Sequence, residues 1–164
     1  MTKDEVDNYF KLKEMRYIKD AENIWHLKFR GRISSYHRYF EIVVVLVEEW
    51  LYLRVPLLLA DNQTCWPYLT EYLLGLNYSL FLTTIAAQGR QILLNADLPA
   101  RCSMADLDEV ITSVDMYVRA YYLDIETVAT CPAIAAIVHT AIEDVTGGAN
   151  IGEHEAIPVI IFSD

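Results

Sequence analysis

Few side chains in this sequence have the types and spacing that chemistry needs. Its four histidines are His26, His37, His139 and His154. None sits at i,i+4 from another on a predicted helix, so the helical spacing that presents two imidazoles to zinc is absent. Glu153, His154 and Glu155 form the one local cluster of metal-ligand types. Three consecutive side chains diverge in a helix or a strand, so this cluster is a poor ion cage. The three cysteines, Cys65, Cys102 and Cys131, stand 37 and 29 residues apart. An odd number without CxxC spacing points to reduced thiols that pack as small hydrophobes. Only Cys102 has a basic neighbour, Arg101, and that pair falls in a strand-to-helix loop. No nucleophile elbow, phosphate-binding loop or dinucleotide fingerprint occurs, and Gly147–Gly148 follows a predicted helix instead of opening one. The acidic pairs Glu48–Glu49, Asp108–Glu109 and Glu143–Asp144 fall in turns or on solvated helix faces. A catalytic carboxylate pair needs one desolvated member, which neighbours in sequence seldom provide. The residues therefore support no catalytic, cofactor-binding or metal site.

The elements that would have to position any site fit one domain. The chain has 164 residues, 54% of them apolar and 22% charged, a globular balance. Its net charge of −10 is uneven: residues 1–40 hold nine basic against six acidic residues, whereas residues 41–164 hold four against seventeen. An acidic body repels nucleic acid and anionic membranes. The same charge either keeps an apolar domain soluble or attracts a basic protein partner. The first residues, MTKDEVDNYF, lack the apolar core of a signal peptide, and no apolar run approaches the ~18 residues of a membrane span. A cytoplasmic protein is expected.

Thr2 and Glu5 have capping-box spacing and open a helix that carries Val6, Tyr9, Phe10 and Tyr17. Trp25, Leu27 and Phe29 alternate with His26, Lys28 and Arg30, a strand with one dry face and one basic, wet face. The run Ile42 to Val47 shows no alternation, so this strand is either covered on both faces or central. Glu48–Glu49 is the turn, and Trp50, Tyr52 and Arg54 return on a strand that Pro56 should nearly end. Asn62 or Thr64 caps a helix with Pro67 in its first turn and a stripe of Trp66, Leu69, Leu73 and Leu76. SLFLTTIAA and RQILLNADL read as paired strands around Gln88–Gly89. Ser103 and Asp106 cap a long helix with Leu107, Val110, Ile111, Val114, Val118, Tyr121 and Ile125 inward. Thr130 and Pro132 start a last helix striped by Ile134, Ile137, Val138, Ala141, Ile142 and Val145, before the apolar tail IPVIIFSD. The order helix–three strands–helix–two strands–helix–helix favours an α+β fold with an antiparallel sheet of about five strands. Asn77, at the corner in LLGLNYSLFL, has no acid, histidine or cysteine beside it and is read as a structural joint.

EEWLYLRVPL, the helix end Leu76-Asn77-Tyr78, the Gly89-Arg90 turn, the strand end Asp97-Leu98-Pro99 and the long helix SMADLDEVITSVDMYVRAYY together resemble the YbjN-like domain, which belongs with the type III secretion chaperone-like fold. The resemblance spans roughly residues 40–127, and the helix and tail over 131–164 have no counterpart in it. It implies a curved antiparallel sheet with helices packed on it, in a small acidic protein that dimerises and holds segments of partner proteins without catalysis. The expectation is a protein-binding module over residues 1–164, a homodimer with an unknown protein client and no nucleic-acid or membrane partner. The strand carrying Trp50, Tyr52 and Arg54 would make contact through an exposed edge. The tail residues Ile157, Val159, Ile160 and Phe162 would either contact the client in the same way or, the preferred reading, dock as an edge strand on this chain's own sheet or on a dimer mate. The alternative is a small-molecule sensor or enzyme with a pocket between sheet and helices.

Overall fold

At the N-terminus the Glu5 amide donates to the Thr2 hydroxyl while the Glu5 carboxylate accepts from the Thr2 amide, which closes the expected capping box. In the computed structural model, which describes residues 1–33 and 36–130 and no side chain from 31 to 37, this box opens helix α1, Lys3–Leu12. Strands β1 (Tyr17–Ala21), β2 (Ile24–Ile33), β3 (Tyr36–Val47) and β4 (Trp50–Leu59) follow. Helix α2 (Trp66–Asn77), strands β5 (Thr84–Gln88) and β6 (Gln91–Pro99) and helix α3 (Met104–Thr130) complete the described chain. The six strands form one antiparallel sheet in the order β1-β2-β3-β4-β6-β5, left open at both ends.

The fold class is the expected one, α+β with an antiparallel sheet and helices packed on it, but four strands precede α2 instead of three. The added strand is β1, and its first residue is Tyr17, a residue expected in α1. Glu14 takes a left-handed φ of 53° just after the helix and turns the chain away from it. Every residue of β1 after Tyr17 is exposed, so no apolar alternation marks it. Pro56 lies inside β4, not near its end. The ladder to β6 shifts register between Pro56 and Leu58, which accommodates the missing donor. Neither Asn62 nor Thr64 caps α2. Thr64 instead closes a turn with Asp61, and the N-cap residue is Cys65, whose amide donates to the Ala129 carbonyl at the end of α3. The last predicted helix and the tail lie outside the described residues.

All three helices cover one face of the sheet, where Trp25, Leu27, Phe40, Ile42, Val44, Leu51, Leu53, Val55, Ile92 and Leu94 are buried. Helix α1 is fixed by polar bonds at the core margin. Trp25 Nε1 donates to Asp7 at 2.6 Å, Lys19 Nζ reaches the same carboxylate at 2.8 Å, and the Tyr9 hydroxyl donates to Asp108 of α3 at 2.8 Å. Burial pushes the Asp7 carboxyl up, but the hydrogen bonds from Lys19 and Trp25 outweigh it and hold the group below its ordinary value. In α3, Tyr122 faces the core and Tyr121 is half-buried, so the inward stripe passes through Tyr122 where Tyr121 was expected.

Asn77 is the joint between α2 and the sheet margin. Its Nδ2 donates to the Ile85 carbonyl at 2.9 Å and its Oδ1 accepts from the Ile85 amide at 2.7 Å. The side chain thus occupies the outer backbone groups of Ile85 as a neighbouring strand would. SLFL is no strand. Leu82 adopts a left-handed φ of 61°, and the Phe81 amide donates to the Tyr117 hydroxyl of α3.

Two outcomes follow from these contacts. Asn77→Ala removes both partners of a buried residue's backbone and should cost about 1–3 kcal/mol while speeding Ile85 amide exchange; unchanged exchange would refute the clamp. Asp7 is depressed in the fold, so its contribution is complete above about pH 4 and is lost as pH falls through the depressed value. Urea titrations from pH 5 to 2 should show a smaller acid loss in Asp7→Asn than in the wild-type chain.

Candidate functional site

Strand parity divides β3 and β4 into two apolar sets. Ile42, Val44, Leu51, Leu53 and Val55 face the helices and are buried. The alternate positions Val43, Val45, Val47, Trp50 and Tyr52 face the opposite side, which no described helix covers. Cross-strand pairing brings them together, with Val47 opposite Trp50 and Val45 opposite Tyr52. Pro56, Leu93 and Ala86 are register partners that continue this outer face across β6 to β5. An antiparallel sheet with one solvated face normally sets polar residues there. Here it is apolar: Trp50 (47% exposed) and Val47 (43%) flank the Glu48–Glu49 turn, Val43, Val45 and Tyr52 are half-buried, and Leu93 is buried.

The expected contact residues Trp50, Tyr52 and Arg54 do share this face. Their strand is not an edge, however. β4 lies between β3 and β6, so its backbone is engaged on both sides, and contact there can come only from side chains. Arg54 lies over the Tyr52 ring at 5.0 Å, and its guanidinium donates to the Asp97 carboxylate and to the Leu53 and Ala96 carbonyls. Those bonds occupy it within the sheet. Ile157, Val159, Ile160 and Phe162 lie outside the described residues.

The two true edges are poorly suited to strand addition. β5 has Asn77 on Ile85, and β1 is short, irregular between Lys19 and Ala21, and carries Lys19 and Asp20. The remaining charges of the outer face are divided. His26 Nδ1 is 3.1 Å from Glu41 and its Nε2 is 3.9 Å from Asp20. Lys28 and Arg30, on the same face of β2, enter no ion pair among the described residues and are exposed beside the exposed ring of Tyr39. The sequence marked His26, Lys28 and Arg30 as a wet face. The unbroken run Ile42 to Val47 concealed which of its valines point outward.

Beneath the sheet the interface with the helices is filled by apolar side chains, and Thr83 is the buried polar residue among those described. Among the described residues the surface clefts include two. One of about 580 Å³ is lined by Lys3, Asp4, Lys19, Asp20, Ala21 and Glu22, and its charges are largely matched. The other, about 360 Å³, includes Leu82, Leu98, Cys102, Asp106 and Val110. Burial pushes the Cys102 thiol up, which disfavours the thiolate that nucleophilic attack requires. Among the described residues no three His, Cys, Asp or Glu side chains are grouped to hold a metal ion, and no helix is long and apolar enough to cross a membrane.

No family model and no curated protein matches the sequence. Among solved structures, the chain is similar to one in the heterodimeric complex ExoU–SpcU from the type III secretion system of Pseudomonas aeruginosa. The TM-score is 0.51 at 15% identity, over 73% of this chain and 96% of that one. At that identity the likeness establishes the fold.

The two faces of β4 make opposite demands on stability. Leu51→Ala or Leu53→Ala should cost about 2–5 kcal/mol, because each leaves a core cavity. Trp50→Ala, on the outer face, should leave the melting temperature of the isolated chain nearly unchanged. Equal losses on both faces would mean that the outer face is packed in the isolated chain.

Proposed function

We propose that this chain is a non-catalytic protein-binding module, chaperone-like or regulatory, which holds a segment of a partner protein on the outer face of its sheet. The observation that carries the reading is the apolar row Val43, Val45, Val47, Trp50 and Tyr52 on a face without helices. Removing such a patch from water is worth roughly 25 cal/mol per Å², and aromatic residues at its centre are the usual anchors of an interface. The chaperone-like fold supports the same reading, since the similar solved chain is itself part of a heterodimeric complex. A YbjN-like relationship over residues 40–127 and a cytoplasmic setting belong to this proposal. So does homodimerisation, for which exposed Leu74, Tyr78 and Phe81 at the end of α2 offer a separate apolar surface. The pocket-based alternative, a sensor or enzyme, would need convergent polar groups between sheet and helices, where the described side chains are apolar.

An affinity capture from native extract tests the reading. A discrete partner should be retained by the wild-type chain and lost with Trp50→Ala/Tyr52→Ala, whose far-ultraviolet circular dichroism should stay native. Retention of the same partner by that double variant would contradict the assignment of the face.

A further inference from the structure

We infer that the partner segment held on the outer sheet face is an amphipathic α-helix of about five turns, acidic at one end and basic at the other. This rests on the proposed function and names the chemistry of the partner at that same surface.

The helical conformation follows from where backbone hydrogen bonds can go. Beneath the apolar rows, β3 pairs with β2 and β4, and β4 pairs with β3 and β6, so their main chains offer a ligand no donor or acceptor. An extended segment pressed onto this face would bury its own amides and carbonyls unpaired, at about 1–3 kcal/mol for each. A helix satisfies them internally and presents side chains alone, as α1, α2 and α3 do on the opposite face. The dimensions agree. Two neighbouring strands with their side chains make a strip about 10 Å wide, the diameter of one helix. Polar residues border that strip, His26 of β2 opposite Val43 and Asp97 of β6 opposite Tyr52. From Tyr39 to Val47 it runs about 26 Å, which a helix covers in about 18 residues.

Charge fixes the ends. Beside Tyr39, Lys28 and Arg30 are exposed, and Glu41 opposite Lys28 is engaged by His26. Those two cations therefore enter no ion pair among the described residues. At the Val47 end the exposed turn residues Glu48 and Glu49 likewise enter none, while Asp20 of β1 lies 3.9 Å from His26. Between the two ends Arg54 and Asp97 neutralise each other. A ligand helix is thus best matched with Asp or Glu toward Lys28 and Arg30, and Lys or Arg toward Glu48 and Glu49. A wholly acidic or wholly basic helix would meet like charge at one end.

Selection from a displayed library of random segments of about 18 residues tests the inference. Segments are enriched on the full-length chain and depleted on Trp50→Ala/Tyr52→Ala. The survivors should carry apolar residues at i, i+3, i+4 and i+7, with acids clustered at one end and bases at the other. As synthetic peptides they should gain helical circular dichroism on binding. Lys28→Glu/Arg30→Glu, a change confined to exposed side chains, should weaken them about tenfold, and selection on that variant should yield bases at both ends. Survivors that alternate with period two, or that show no charge asymmetry, overturn the inference and leave the assignment of the face standing. A dimer of the wild-type chain that Trp50→Ala/Tyr52→Ala dissociates also overturns it, because the occupant is then a second copy. If no segment needs Trp50 and Tyr52, the proposed function falls and the inference falls with it.

Discussion

A β-strand has two faces, and in β3 and β4 both are apolar. Everything distinctive about this chain follows from that constraint. Three helices suffice to cover one face of a six-stranded sheet, and here α1, α2 and α3 all pack on the same side. Val44, Leu51 and Leu53 are satisfied by them, while Val43, Val45 and Tyr52 are not. A solvated face of this composition carries a standing free-energy cost that contact with another apolar surface would remove.

The polar contacts serve this one-sided arrangement. Asp7 ties α1 to β1 and β2 through Lys19 and Trp25, and Tyr9 ties it to α3 through Asp108. Near the other end of α3, Arg38 stacks on Tyr122 at 4.4 Å and pairs with Glu126 at 3.2 Å. Asn77 closes part of the β5 edge with its own amide group. With both edges discouraged from pairing, association is directed to surfaces made of side chains. That distinction matters, because a face selects its ligand by shape, apolar contact and charge, whereas an edge accepts almost any extended backbone.

Much of the architecture was legible in the sequence because its elements carry strong local signals. The capping pairs Thr2–Glu5 and Ser103–Asp106, the stripe Leu69-Leu73-Leu76 and the alternation Trp25-Leu27-Phe29 each fix an element by short-range rules. Asn77 was legible as a joint but not as a clamp, since its partner Ile85 is set by how the loop between α2 and β5 folds. The strand β1 escaped notice because an exposed edge strand has no dry face to betray it. Trp50, Tyr52 and Arg54 were correctly placed together on one strand. Their strand's central position depends on β6 pairing beside it, a long-range choice that periodicity does not encode.

The claim that the outer face holds a partner is tested most directly inside the cell. A photoreactive benzoylphenylalanine can replace Tyr52 or, as a control, the surface residue Thr112 at the far side of α3. The account predicts a discrete adduct between the Tyr52 position and a segment of another protein, absent from the control. Adducts equal at both positions, or none at Tyr52 while the protein is folded and expressed, would contradict it.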